Sequence, residues 1–266
     1  MLIFFDIDET LMKNHKTISK PVRNMLHQLK ENHHTIVICT GRSKSILYHD
    51  IQDIPYDALV TSCGCRIETK EEVLINELIH EEELRKLIYD LLQMNVSFNV
   101  QGNHSFTHRN DYVFTHIPEE NRIIFIERLG AMPPIKEMKE EDYHTTYKVT
   151  YQTTDETTAI DVLNNLSDYF HGYYQKRNDF FYTGEITQAS YTKGTAITYL
   201  SNYFNIPMEE TFAIGDSDND LEMIEMAHIG IAMGNGSKKL KEIANYITDD
   251  IDHDGAVTAM QHFHLI

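Results

Sequence analysis

The chain is poor in cysteine, short of basic charge, and without a long apolar run. Its three cysteines, Cys39, Cys63 and Cys65, are odd in number and show no CxxC spacing. That excludes a disulfide framework and leaves reduced structural thiols as the expectation. Lys and Arg total 23 against 41 Asp and Glu, a formal net charge of −18. Binding to nucleic acid or an anionic membrane calls for a basic face, so neither partner is expected. No apolar stretch approaches the roughly 20 residues that span a bilayer. Met1 leads directly into an apolar run with no basic leader or cleavage site, so a cytoplasmic protein is expected. The 15 histidines form neither HExxH nor a paired Cys/His spacing, which argues against a histidine zinc site. No internal repeat and no low-complexity tract is seen.

What the sequence does have is alternation. Leu2–Phe5, Thr35–Cys39 and Ala58–Thr61 read as fully apolar strands. Between the first two, Ser19-Lys20-Pro21 opens a helix to about Asn32, with Val22, Met25, Leu26 and Leu29 on one stripe and His33-His34 at its carbonyl end. Ser43–Ile51 is expected to be a second helix. Buried strands separated by helices predict a parallel sheet covered on both faces.

The pattern changes after Thr61. Arg66–Thr69 and Val73–Leu78 read as a hairpin turning at Lys70-Glu71-Glu72. Glu81–Met94 is amphipathic, with Leu84, Leu87, Ile88, Leu91 and Leu92 together. Val96–Val100 and Ser105–His108 read as strands and Glu119–Leu129 as a helix, with Ala131–Glu141 a loop. Tyr143–Tyr151 reads as a strand, Glu156–Tyr169 as a helix, and Gly172–Gln175 with Phe180–Tyr182 as paired strands. Alternation then returns: helix Gly194–Phe204, strand Thr211–Ile214, helix Leu221–Ala227, strand Ile229–Met233, and helices Ser237–Ala244 and Gly255–Phe263. The expected fold is α/β, a Rossmann-like parallel-sheet core with an inserted α+β cap domain. Core segments are placed at 1–79 and 186–266 and the cap at 80–185, with hinges near Ile79–Glu81 and Thr183–Ile186.

Chemistry gathers at strand ends. Asp6-Ile7-Asp8-Glu9-Thr10 follows the first strand, and Gly215-Asp216-Ser217-Asp218-Asn219-Asp220 follows Thr211–Ile214. Ligands in open α/β sheets bind beyond the carboxyl ends of the strands, so the two clusters point to one divalent-metal site. Hard carboxylate oxygens suit Mg²⁺, with Asp216 the foremost ligand candidate because it directly follows its strand. Asp6 is placed to act as a nucleophile on phosphorus and Asp8 as a general acid/base. Thr40-Gly41-Arg42 follows the second core strand, where a hydroxyl and exposed backbone N–H groups make a small phosphate cradle. Lys193, ahead of a helix, is suited to neutralising phosphoryl oxygens and the aspartates. An EF-hand is excluded, because the second cluster lacks the later glycine and the glutamate at position twelve. A dinucleotide fingerprint is excluded, since Lys239 stands where the third glycine belongs.

Taken in order, these segments resemble the haloacid dehalogenase-like phosphohydrolases, whose motifs run DxDx[TV], a Thr or Ser, a Lys, and GDxxND. Ile231–Gly236 and Asp254-Gly255-Ala256-Val257, with Thr-Gly-Arg, are similar to the Cof-type subfamily, which carries a large α/β cap between the second and third motifs. The resemblance implies a Mg²⁺-dependent phosphatase of small phosphate monoesters: sugar phosphates, nucleotides or cofactor phosphates. It implies Asp6 as nucleophile and metal ligand, and Asp8 as acid/base holding the metal through its carbonyl. Thr40, Gly41, Lys193 and Asn219 would hold phosphate, and Asp216 would complete the metal site with Asp220 behind it. The cap would close over the bound ester and choose the leaving group. A phosphotransferase or mutase would use the same residues. A response-regulator module is disfavoured by the cap-sized insert and the late acidic cluster. In motif one the family usually has Gly where this chain has Glu9. Asn99, His104, His108, Arg109 and Arg177 are candidate specificity residues. Oligomeric state is not encoded in any pattern here.

Overall fold

The computed structural model describes residues 1–13, 17–47, 51–94, 96–102, 106–108, 138–178 and 181–266. In chain order the described elements are β1 (Leu2–Phe5), β2 (Met12–Lys13), β3 (Thr17–Ile18), α1 (Lys20–Glu31), β4 (Thr35–Cys39), β5 (Ala58–Thr61), β6 (Arg66–Thr69) and β7 (Val73–Asn76). Then come α2 (Glu81–Gln93), β8 (Ser97–Gly102), β9 (Phe106–His108), β10 (Thr146–Thr153), α3 (Glu156–Asn164), β11 (Phe170–Asn178) and β12 (Phe181–Gln188). The last third holds α4 (Lys193–Phe204), β13 (Thr211–Gly215), α5 (Leu221–Met226), β14 (Ile229–Ala232), α6 (Lys238–Ile243), β15 (Tyr246–Ile247) and α7 (Gly255–His262).

Two compact units result. The first comprises Met1–Gly41, Tyr48–Asn76 and Tyr191–Ile266; the second comprises Arg42–Leu47 and Glu77–Ser190. The first unit is built on one sheet in the order β15-β14-β13-β1-β4-β5-β6-β7. From β15 to β5 every pairing is parallel, and β6 and β7 add an antiparallel hairpin at the edge. Leu2, Phe4, Val37, Cys39, Ala58 and Val60 form one core layer with Ala196, Ile197 and Leu200 of α4, Met223 and Ile224 of α5, and Leu240 of α6. Side chains alternate along a strand, so Ile3, Phe5, Ile36 and Ile38 line the opposite face, the side of α1 and α7. The Ser19 hydroxyl accepts from Val22 N at 3.3 Å and Pro21 sits in the first turn of α1, as its sequence predicts.

The second unit has an antiparallel sheet, β11-β12-β10-β8-β9. Phe98, Val100, Val149, Tyr151 and Ile186 pack on Leu84, Leu87, Ile88 and Leu91 of α2 and Ala159 and Val162 of α3. Gly184 is needed here: a Cβ would lie 2.1 Å from the Tyr151 ring, whose hydroxyl donates to Ala159 O at 3.0 Å. The other face carries Ser97, Asn99, Gln101 and Lys148, all buried as well.

Several sequence expectations need correction. Within the described part of Ser43–Ile51, no α-helix forms; Lys44–Ile46 makes one 3₁₀ turn. Leu92 turns outward, because a stripe at 84, 87, 88 and 91 is complete without it. The helix expected to reach Tyr169 stops at Asn164, and Phe170 already pairs with Gln188. Thr183–Ile186 lies inside β12 and is paired on both edges. The short ladder of β2 with β3 and the strand β15 went unforeseen, being only two residues per strand. The helix expected at 119–129, His104 and Arg109, and the side chains of His108 and Arg177, lie outside the described residues.

Gly184→Ala is expected to destabilise the protein by about 1–3 kcal/mol through overpacking against Tyr151. Urea unfolding measures it, and an unchanged midpoint would refute this account of the glycine.

Candidate active site

Strand register assembles the site. Phe5 pairs with Ile214 on one side and Ile38 on the other. The next residues along these three parallel strands are therefore neighbours at one edge: Asp6, Gly215-Asp216 and Cys39-Thr40. The segment after β1 is a tight turn, with Ile7 O accepting from Leu11 N at 3.0 Å and Met12 N at 2.8 Å. Glu9 lies at its apex with φ 59°. That left-handed conformation is free of steric cost only for glycine.

Lys193 enters from the first turn of α4, capped by Thr192, whose hydroxyl accepts from Thr195 N. Gly194 lets α4 approach the start of α5, since a Cβ there would lie 2.8 Å from Glu222 O. The lysine side chain is fully buried. It donates to Asp6 Oδ1 at 2.5 Å and to Asp220 Oδ1 at 2.6 Å. Asp220 Oδ2 accepts from Asp216 N at 3.0 Å and Ser217 N at 3.1 Å. Gly215 makes that fold-back possible, because a Cβ would lie 2.5 Å from the Asp220 carboxyl carbon.

The sequence-predicted residues divide by what they touch. Asp6, Asp216 and Asp220 bring carboxylate oxygens within 4.8 Å of one another, so these residues can hold a metal ion. Both oxygens of Asp220 are already engaged by protein donors, which suits it to holding the loop and Lys193 and leaves Asp6 and Asp216 facing the ion. Asp8 lies close enough for its charge to raise the pKa of both. Thr40 is buried, its N–H donating to Val60 O at 2.9 Å, and Gly41 follows it, also buried. Asn219 accepts from Ser217 Oγ at 2.5 Å, and its amide nitrogen donates to no described residue. Arg42 Nη1 donates to Ile46 O at 3.2 Å, which fixes the 3₁₀ turn. Two residues with no assigned task also reach Asp216. Thr10 Oγ1 donates to its Oδ1 at 3.5 Å, and Ser237 N donates to its backbone oxygen at 2.7 Å. The Thr of DxDxT is a signal for the first; nothing in the sequence marks the second.

The electrostatics fit a hard cation. Burial pushes Asp6 up to about 8; Lys193 opposes that, while Asp220 and Asp8 add to it. Burial, then Asp6 and Asp220, raise Asp216 to about 9. Burial works against the charge on Lys193, but Asp220 and Asp6 outweigh it and hold the ammonium well above its ordinary pKa. Four carboxylates thus share one lysine, and a divalent cation would relieve the excess. Burial likewise drives the Cys39 thiol well up, and Cys39, Cys63 and Cys65 are all free and buried.

The family profile of haloacid dehalogenase-like hydrolases matches residues 3–260. The chain is 26% identical to the 5-amino-6-(5-phospho-D-ribitylamino)uracil phosphatase YitU of Bacillus subtilis, covering 98% of this chain and 97% of that protein. It is 27% identical to phosphatase YwpJ of the same organism, over 98% and 99% of the two chains. Among solved structures, the HAD subclass IIB sugar phosphatase BT4131 superposes with a TM-score of 0.81 at 27% identity, over 100% of this chain and 99% of that one. BT1666 from Bacteroides thetaiotaomicron, at 24% identity and a TM-score of 0.83, shares the fold.

Two outcomes follow from the charge balance. An acid whose native pKa is raised from 3.8 to about 8 adds stability below pH 3.8 and loses it as pH rises through about 8. Metal-free protein should therefore lose this contribution progressively from about pH 4 to about pH 8, and added Mg²⁺ should raise the Tm most at the alkaline end of that range. A Tm difference between Mg²⁺ and EDTA that stays flat with pH would contradict this. In EDTA at alkaline pH, Lys193→Met should cost about 3–5 kcal/mol, because Asp6 and Asp220 lose their buried partner. That loss should shrink near pH 5, where Asp6 is protonated.

Proposed function

The chain belongs to the haloacid dehalogenase-like hydrolase family, and on that footing we propose a Mg²⁺-dependent phosphatase that works through an aspartyl-phosphate on Asp6. The observation that carries this reading is Asp6 itself. It is buried, with one oxygen tied to Lys193 and the other bonded to no described donor.

In the proposed cycle the untied Asp6 oxygen attacks phosphorus. The new O–P bond forms as the bond to the leaving oxygen breaks, and Asp8 supplies the proton that oxygen needs. Asp8 then takes a proton from water, which attacks phosphorus and returns Asp6 as a carboxylate with release of inorganic phosphate. Asp6 must be ionised to attack, and burial alone opposes that. Lys193 works against burial, the bound cation would complete the ionisation, and Asp220 holds Lys193. Thr40, the backbone at Gly41 and the Asn219 amide are read as phosphate donors. Asp6, Asp216 and the Asp8 carbonyl would hold the Mg²⁺, which when bound neutralises charge on the carboxylates and the phosphoryl oxygens.

The substrate class is a small phosphate monoester. YitU is named for a phosphoribityl compound and BT4131 for sugar phosphates, which supports an alcohol leaving group here. Selection of that group is read into the second unit, as the cap. Its polar sheet face buries Asn99, Gln101 and Lys148, and Gln101 Oε1 accepts no hydrogen bond among the described residues.

Phosphate release from a monoester panel, with Mg²⁺ and with EDTA, tests the reading. Asp6→Asn should abolish release, and Asp8→Asn should lower kcat by about 10²–10⁴. A folded, Mg²⁺-loaded protein that hydrolyses none of the esters would overturn it, and phosphate appearing on an added acceptor sugar would shift it to a transferase. Gln101→Leu should change the ranking of esters by about three- to tenfold, the worth of one hydrogen bond. An unchanged ranking would remove Gln101 from substrate selection.

A further inference from the structure

The loop between β14 and α6 touches both acidic turns. Ser237 N donates to Asp216 O at 2.7 Å, and Asn235 Nδ2 donates to Glu9 O at 2.9 Å. The same Asn235 side chain accepts from Ile251 N at 2.9 Å through its Oδ1. Gly234 N donates to Asp249 O at 2.9 Å, so the segment around residues 249–254 is bound to the loop twice. That segment is in turn held to the residues after motif one, by Lys13 to Asp252 and by Ser19 Oγ to Asp254 Oδ1 at 2.9 Å. Glu9 stands in the centre of this bracing, in a left-handed conformation that a side-chain-bearing residue adopts only at a cost. Its N–H donates to Met12 O and its carbonyl accepts from Asn235, so the Asn235 contact acts directly on the backbone of the turn.

We propose that Asn235 is a positioning residue: by holding Glu9 O it keeps the left-handed turn closed and so sets Asp8 against Asp6 and Asp216. The dependence is particular to this chain because residue 9 is glutamate. Glycine would hold the same backbone shape unaided. The inference rests on the phosphatase reading for the role of Asp8. Asn235 itself is exposed, so removing its side chain leaves the hydrophobic core intact.

Hydrolysis of p-nitrophenyl phosphate in Mg²⁺ is measured for wild type, Asn235→Ala, Glu9→Gly and the double variant. Asn235→Ala should lower kcat about tenfold and leave KM within about twofold, because the acid/base is misplaced while phosphate contacts remain. In the Glu9→Gly background the same substitution should cost less than about threefold. An equal loss in both backgrounds, or a loss confined to KM, overturns the proposal. Should the wild type hydrolyse neither this ester nor any other, the phosphatase reading fails separately. The turn linkage is then read from unfolding midpoints of the four proteins: non-additive shifts sustain the brace, and additive shifts end it.

Discussion

One buried ammonium holds the chemistry together. Lys193 joins Asp6, from the first strand, to Asp220, from the turn after β13, and no water reaches it. A charge so placed is tolerable only with partners in good geometry, and the partners are tolerable only with the charge. The constraint spreads outward. Asp220 can meet Lys193 only because it folds back over Gly215, and the fold-back lets its second oxygen cap the N–H groups of Asp216 and Ser217. Lys193 can arrive only because Gly194 lets α4 approach Glu222.

The same arrangement accounts for the raised pKa values of Asp6 and Asp216. Burial does most of it, and the neighbouring carboxylates, with one lysine among them, add to it. A phosphate dianion could not enter such a field unaided. The strongly acidic chain, with its formal charge of −18, makes the local cations matter more.

Much of this was legible in the sequence, for a physical reason. Leu2–Phe5, Thr35–Cys39 and Thr211–Gly215 are buried on both faces, so they read as unbroken apolar runs, and acidic or hydroxyl residues directly after such runs stand out. The fold class followed from the same alternation, and the structural neighbours share it. Elements held by contacts distant in sequence were not legible. Ser43–Ile51 reads as a helix, yet in its described part Lys44–Ile46 is a 3₁₀ turn held by the Arg42 side chain. Glu9 was visible as a departure from the family pattern, but its left-handed φ was not. Asn235 sat in a recognisable Gly-Asn-Gly stretch whose partners, Glu9 and Ile251, lie 226 and 16 residues away. Strand β8 alternates Ser97-Phe98-Asn99-Val100-Gln101, which suggests one wet face, whereas both faces are buried.

The strand order also bears on the order in which the chain can fold. β1 lies between β4 and β13, and its partner on the β13 side is Thr211–Ile214. During synthesis the first strand can pair with β4 almost at once, but its other edge stays open until β13, at Thr211–Gly215, has been made. The second unit has its own core and can condense in that interval. The nascent chain thus carries a wholly apolar central strand with one edge open until β13 is made, a site for wrong pairing with neighbouring chains. Crowded overexpression should expose this weakness well before any loss of native stability does.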